Sequence, residues 1–139
     1  MAFASLPWFK ALWPLPPEKA GVISAETPLA ATEFLLRERL PGNLFHAMGF
    51  GSYLIWAAQP AYPVFIDPRI ELYPARLWMD YLNVSAAAPG WEDRLAAHNV
   101  QTLMLSPQEQ AGLLEAARAS AQWDEIYADA ASVILTRTD

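Results

Sequence analysis

Two hydrophobic patterns alternate along this chain: short continuous apolar runs fenced by Pro or Gly, and longer stretches in which apolar residues return every three or four positions. The short runs predict strands at about 43–48, 63–67, 100–105, 123–128 and 131–137, all in one sheet. The longer periodicities predict helices. Thr27-Pro28 supplies an N-cap and a first-turn proline for a helix ending near Leu40, before Pro41-Gly42. After Pro74, residues Leu77, Trp78, Tyr81 and Leu82 fall at i, i+1, i+4 and i+5 and make one apolar face. Trp91–His98 is helical, with Trp91 and Leu95 one turn apart, and Ser106-Pro107-Gln108-Glu109 is a capping box that opens a helix to about Ala119. Tyr53–Ala58 is readable as a short helix or as a strand, because so short a segment does not separate the two periods.

Helices between successive strands, followed by two adjacent strands turning at Asp129-Ala130, predict an α/β fold. It is expected to be a three-layer, Rossmann-like domain whose mainly parallel sheet has about five strands and ends in an antiparallel hairpin. Val64, Phe65, Ile66, Leu103 and Leu105 are its expected core. Residues 27–139 form this one domain, and residues 1–26 read as a linker or arm. Met1–Pro17 holds Phe3, Trp8, Phe9 and Trp13 with one charge at Lys10, and prolines at 7, 14, 16 and 17 forbid a long helix.

Composition narrows the function. With 54% hydrophobic and 17% charged residues, the 139-residue chain is too apolar to be disordered and low in charge for an independent domain, so part of its surface is expected to be covered. A net charge of −6 without a basic patch argues against nucleic acid and against electrostatic docking to anionic lipid. The absence of cysteine removes disulfide, thiolate and Cys-based zinc chemistry. No apolar run approaches the ~18 residues of a spanning helix.

Candidate chemistry gathers in Tyr62–Tyr73, where the apolar run Val64-Phe65-Ile66 meets Asp67, Arg69 and Glu71 at alternate positions. Pro68 ends any ladder there, which would put the charges at the C-terminal mouth of a strand, the place where open α/β sheets bind ligands. Arg69 can bond carboxylate or phosphate bidentately, and carboxylates accept from sugar hydroxyls; an internal ion pair that pins the loop is the alternative. Gly49-Phe50-Gly51-Ser52 could offer backbone donors, although Leu54 stands where a dinucleotide fingerprint has its third glycine, and a tight turn with close packing accounts for the same glycines. The candidate ligand-binding set is therefore Asp67, Arg69, Glu71, Tyr73, Gly49, Gly51 and Ser52. Arg69 is expected to be held by Asp67 or Glu71, with its other donors facing Gly49–Ser52. His46 and His98 have no ligand-spaced partner, and Ser52 and Ser106 no nucleophile-elbow context, so no metal, cofactor or catalytic residue is assigned.

Pro28-x-x-Ala31 before Phe34-Leu35, Gly51-x-Tyr53-Leu54-x-Trp56, Pro63-Val64-Phe65-Ile66-Asp67-x-Arg69 with Glu71-x-Tyr73, and the later Gly90-Trp91, Val100-x-x-Leu103 and Trp123-x-x-Ile126-Tyr127-x-Asp129 together carry a likeness. Over about residues 27–137 the chain resembles the C-terminal extracytoplasmic domain of bacterial multi-span membrane proteins of the lipid-phosphate-sugar glycosyltransferase, mannosyltransferase-like type. Where such domains often have glycine between the Asp and the Arg, this chain has Pro68. The resemblance implies a non-catalytic accessory domain at the outer face of the membrane, with the membrane-embedded remainder of a parent chain as partner and a sugar or lipid-linked sugar as the substrate it helps to position. Two alternatives stay open: a stand-alone small hydrolase or transferase, and a structural protein-interaction module.

Overall fold

The computed structural model describes residues 24–138. The predicted linker thus lies outside the described residues except for Ser24-Ala25-Glu26, which enter the domain through a turn closed by the Thr27 N–H on the Ser24 carbonyl at 3.0 Å. In chain order the elements are α1 (Leu29–Glu38), β1 (Asn43–His46), a 3-10 turn (Met48–Phe50) running into α2 (Gly51–Ala57), a second 3-10 turn (Ile70–Leu72), α3 (Ala75–Ser85), α4 (Trp91–Ala97), β2 (Val100–Leu105), α5 (Ala111–Ala119), β3 (Trp123–Ala128) and β4 (Val133–Arg137).

The four strands are ordered β1-β2-β4-β3. Only β1 and β2 run parallel; β4 is antiparallel to both β2 and β3. The sheet is therefore mixed rather than mainly parallel, and it has four strands rather than five. The missing strand is the expected one at 63–67, which is irregular although Phe65, Ile66 and Asp67 are buried. Its backbone explains this. Pro60, Pro63 and Pro68 have no N–H to give a ladder, and the Phe65 N–H is taken by a side chain, the His46 Nε2, at 3.1 Å. Apolar character alone buries a segment without making it a strand; Val64 is only partly buried.

Strand alternation sends Phe45, Leu103, Leu105 and Leu135 to one core and Leu44, Met104 and Ile134 to the other. The first core is completed by Tyr81 and Val84 of α3, Leu95 of α4 and Leu113 and Ala117 of α5. The second is completed by Ala31 and Leu35 of α1 and Leu54 of α2. Helices accordingly cover both faces of the sheet. On α3 the inward stripe includes Val84, while Leu82, expected to face inward, is 42% exposed.

Two expected helix starts are shifted. α1 begins after Pro28 with no Thr27 cap; Thr32 Oγ1 instead donates back to the Pro28 carbonyl at 2.6 Å. Ser106 Oγ does accept the Glu109 N–H at 3.2 Å, but this closes a turn, and α5 itself starts at Ala111 after Gln110. Tyr53–Ala58 resolves as helix, within and just beyond α2.

Candidate functional site

Because β1 and β2 are the parallel pair, their C-terminal ends define the mouth of the sheet. The chain leaves β1 into Met48–Ser52 and leaves β2 into Ser106–Glu109. Between these two turns lies an open groove of about 280 Å³, whose lining includes Gly49, Phe50, Ser52 and Tyr53 on one side, Ser106, Gln108 and Glu109 on the other, and Glu26 and Thr27 at the rim. The Met48 N–H donates to Tyr81 Oη at 2.9 Å, which ties the β1 turn to α3. Gln108 is fixed at both ends of its amide, accepting from Ser106 Oγ at 3.2 Å and donating to the Ala130 carbonyl at 3.1 Å.

The Tyr62–Tyr73 loop is organised differently. Asp67 is 1% exposed and accepts four hydrogen bonds from its own loop. Its Oδ1 takes the Arg69 N–H at 2.8 Å and Arg69 Nε at 3.0 Å; its Oδ2 takes Arg69 Nη2 at 2.8 Å and Tyr73 Oη at 2.6 Å. These bonds satisfy both oxygens, and the guanidinium and phenol beside it hold the carboxyl well below the usual carboxylate range. Burial, and then the Asp67 hydrogen bond, push the Tyr73 phenol up to about 12. The Arg69 side chain is 58% exposed, yet Arg69 is not part of the groove lining. Glu71 is exposed and is not among the groups bonded to Asp67.

Of the predicted site residues, Gly49 and Ser52 border the groove, Asp67, Arg69 and Tyr73 form the clamp behind it, and Glu71 belongs to neither. Gly51 joins the two. A Cβ built on it would lie 2.8 Å from Asp67 Cβ and 2.8 Å from the Ile66 carbonyl, so the glycine serves close packing of one loop on the other. The two loops thus meet where Gly51 packs on Ile66 and Asp67, and not through the Arg69 donors expected to face Gly49–Ser52, because Arg69 is bonded to Asp67 and does not line the groove.

His46, at the end of β1, is the second link between the loops. Its Nδ1–H donates to the Ala47 carbonyl at 2.8 Å, which leaves Nε2 to accept from Phe65. Complete burial lowers its pKa to about 4, so the imidazole is neutral and holds the irregular segment as a ladder partner would. Sequence spacing offered no sign of this, because its partners are backbone groups.

A further cluster also escaped the sequence. His98 Nε2 lies 3.0 Å from Asp80 Oδ2, with Arg94 Nε 3.8 Å from Asp80 Oδ1. Together with Arg76 and Asp93 these groups line a shallow depression of about 510 Å³ between α3 and α4. Asp80 lies on α3 and His98 just past the end of α4, and only the packing of α3 on α4 joins them; no local pattern could have disclosed the pair. Among the described residues, the depression's lining holds no hydroxyl or thiol. Among the described residues, no group of three or more His, Cys, Asp or Glu side chains is placed to hold a metal ion.

Chemically, then, the clamp has no acceptor left to offer, while the groove presents unspent hydroxyls and carboxylates. In comparisons with known proteins, no family model, curated protein or solved structure matches the chain.

Proposed function

We propose that this chain is the non-catalytic accessory domain of an integral membrane protein of the glycosyltransferase-like type, carried on the outer face of the membrane and packed against the membrane-embedded remainder of its parent. The observation that carries this reading is the saturation of Asp67: the best-placed acid of the Tyr62–Tyr73 loop is buried and bonded four times within its own loop, which makes the loop a scaffold and not a reaction centre. Its apolar surface supports the same reading. Trp56 is 81% exposed, and Ile70, Leu72 and Met79 are also uncovered, a set suited to contact with a larger body. No helix among the described residues is long and apolar enough to cross a membrane.

Fractionation of source cells with an antibody to the domain tests this. The expected result is a band far above 15.4 kDa in the membrane fraction that proteases remove from the outside of intact cells. A band at 15.4 kDa in the soluble fraction would overturn the proposal. The alternative of a small independent enzyme has one observation in its favour, the Asp80–His98 pair; among the described residues, no hydroxyl or thiol stands beside it as a nucleophile to activate.

A further inference from the structure

The groove at the mouth of β1 and β2 differs from the Asp67 clamp in what its side chains still have to give. Among the described residues, the carboxylates of Glu109 and Glu26 and the hydroxyls of Thr27, Ser52 and Tyr53 have no hydrogen-bond partner, although all five groups border the groove. Among the described residues, no lysine, arginine or histidine is in the lining. An anion entering there would meet two carboxylates and, among the described residues, no cation, so phosphate and carboxylate ligands are disfavoured by charge. A divalent cation finds no cluster of three His, Cys, Asp or Glu ligands among the described residues. A quaternary ammonium would find the carboxylates and an aromatic wall, but its charged head can neither donate to nor accept from the Thr27, Ser52 and Tyr53 hydroxyls. A neutral molecule rich in hydroxyls matches the whole set, since it can donate to the carboxylates, accept from the Ser and Thr hydroxyls and lay its C–H face on an aromatic wall. Phe50 and Tyr53 supply that wall.

Size and lining agree with this chemistry. The volume of about 280 Å³ is at the lower end of ligand pockets and suits one ring with its hydroxyls rather than a chain or a nucleotide. In the lining, a Cβ on Gly49 would lie 3.4 Å from Glu109 Oε1, so a methyl there would take up the space beside the carboxylate. We infer that this groove is a binding site for a neutral polyhydroxylated ring, such as a hexose, with Glu109 as its principal acceptor and Gly49 keeping the space beside it open. The inference rests on the groove lining alone. It is independent of where the chain resides, so it and the membrane proposal can fail separately.

The test is titration of the full labelled chain with glucose, mannose and galactose, followed by amide shifts, with inorganic phosphate, a hexose phosphate and choline as comparison ligands. A neutral hexose is expected to shift the amides of Gly49, Ser52 and Glu109 saturably at millimolar concentration. Glu109→Gln should weaken that binding about tenfold, the equivalent of one hydrogen bond to a charged acceptor. Gly49→Ala should weaken it while leaving the remaining spectrum in place, because the Gly49 backbone is in an ordinary region that alanine adopts. Tighter binding of phosphate, hexose phosphate or choline at these amides would overturn the inference. So would binding that is unchanged in both variants, or no response to any hexose.

Discussion

Gly51 lacks a side chain because Asp67 stands where one would go: the space for its Cβ is already filled by Asp67 Cβ and Cα and by the Ile66 carbonyl, all within 2.9 Å. Two of these atoms are backbone and cannot swing aside. Gly51→Ala is therefore expected to destabilise the domain by about 2 kcal/mol through overpacking. Gly112, in α5, has nothing within 4 Å of its would-be Cβ, and Gly112→Ala should stabilise by about 0.5 kcal/mol through helix propensity. Urea melts of the two variants check both signs. Equal effects would mean that the loop contact is not tight.

His46 makes the fold sensitive to mild acid. Its folded pKa, about 4, is depressed below the ordinary value of 6.5, so the unfolded chain binds a proton that the folded one refuses. Stability from this group is complete above pH 6.5 and is lost as pH falls towards 4, by about 2 kcal/mol at pH 5. Denaturant melts at pH 7 and pH 5 should show that loss, and His46→Gln, which keeps an acceptor for Phe65, should remove its pH-dependent part. A pH slope that is the same in the variant would show that other groups carry it.

Phe65 is buried within an irregular segment, with its ring centroid 5.0 Å from that of Phe45 and 5.1 Å from that of His98. Phe65→Ala should cost about 3–5 kcal/mol, the loss of a large core side chain. The measurement is again an equilibrium melt. A cost below about 1 kcal/mol would show that the surrounding loop collapses into the space.

Tyr73 reports on the clamp at the alkaline end. With its folded pKa raised to about 12 from 10.0, it contributes stability that is present below pH 10 and is lost as pH rises towards 12. Ultraviolet titration of the folded protein should contain a late phenol fraction that shrinks in Tyr73→Phe. The same variant removes one of the four bonds to Asp67 and should cost about 1 kcal/mol at pH 7.

Much of the secondary structure was legible in the sequence. β2 and β3 run between the residues that their apolar pattern proposes, and the terminal hairpin and the helix from Ala75 follow from periodicity and from Pro74. The error at 63–67 has a definite cause. A buried apolar run says that side chains avoid water, but whether it joins a sheet depends on where its N–H groups go, and here the donor at Phe65 goes to an imidazole contributed by β1. The Asp67–Arg69 ion pair was readable because its partners are neighbours in the chain. The groove was half readable. Its Gly49–Ser52 wall follows a strand with glycines, a visible signal, whereas Glu109 appeared only as one corner of a capping box and reaches the groove because β2 lies beside β1.

The single parallel pairing in this sheet also sets the order in which the protein can assemble. The β3–β4 ladder closes a short loop at Ala128 and Val133, and β2 then meets β4 across the 28 positions from Leu105 to Val133. Joining β1 to β2 requires residues such as Thr102 and Pro41, bonded at 2.8 Å but 61 positions apart, to find each other. Loop-closure entropy makes that the late step. The C-terminal segment is then expected to act as the nucleus on which the N-terminal half condenses: truncating Ile134 should slow refolding, and truncating Leu44 should chiefly speed unfolding. Stopped-flow chevrons of the two variants would show the reverse pattern if β1 and β2 pair first.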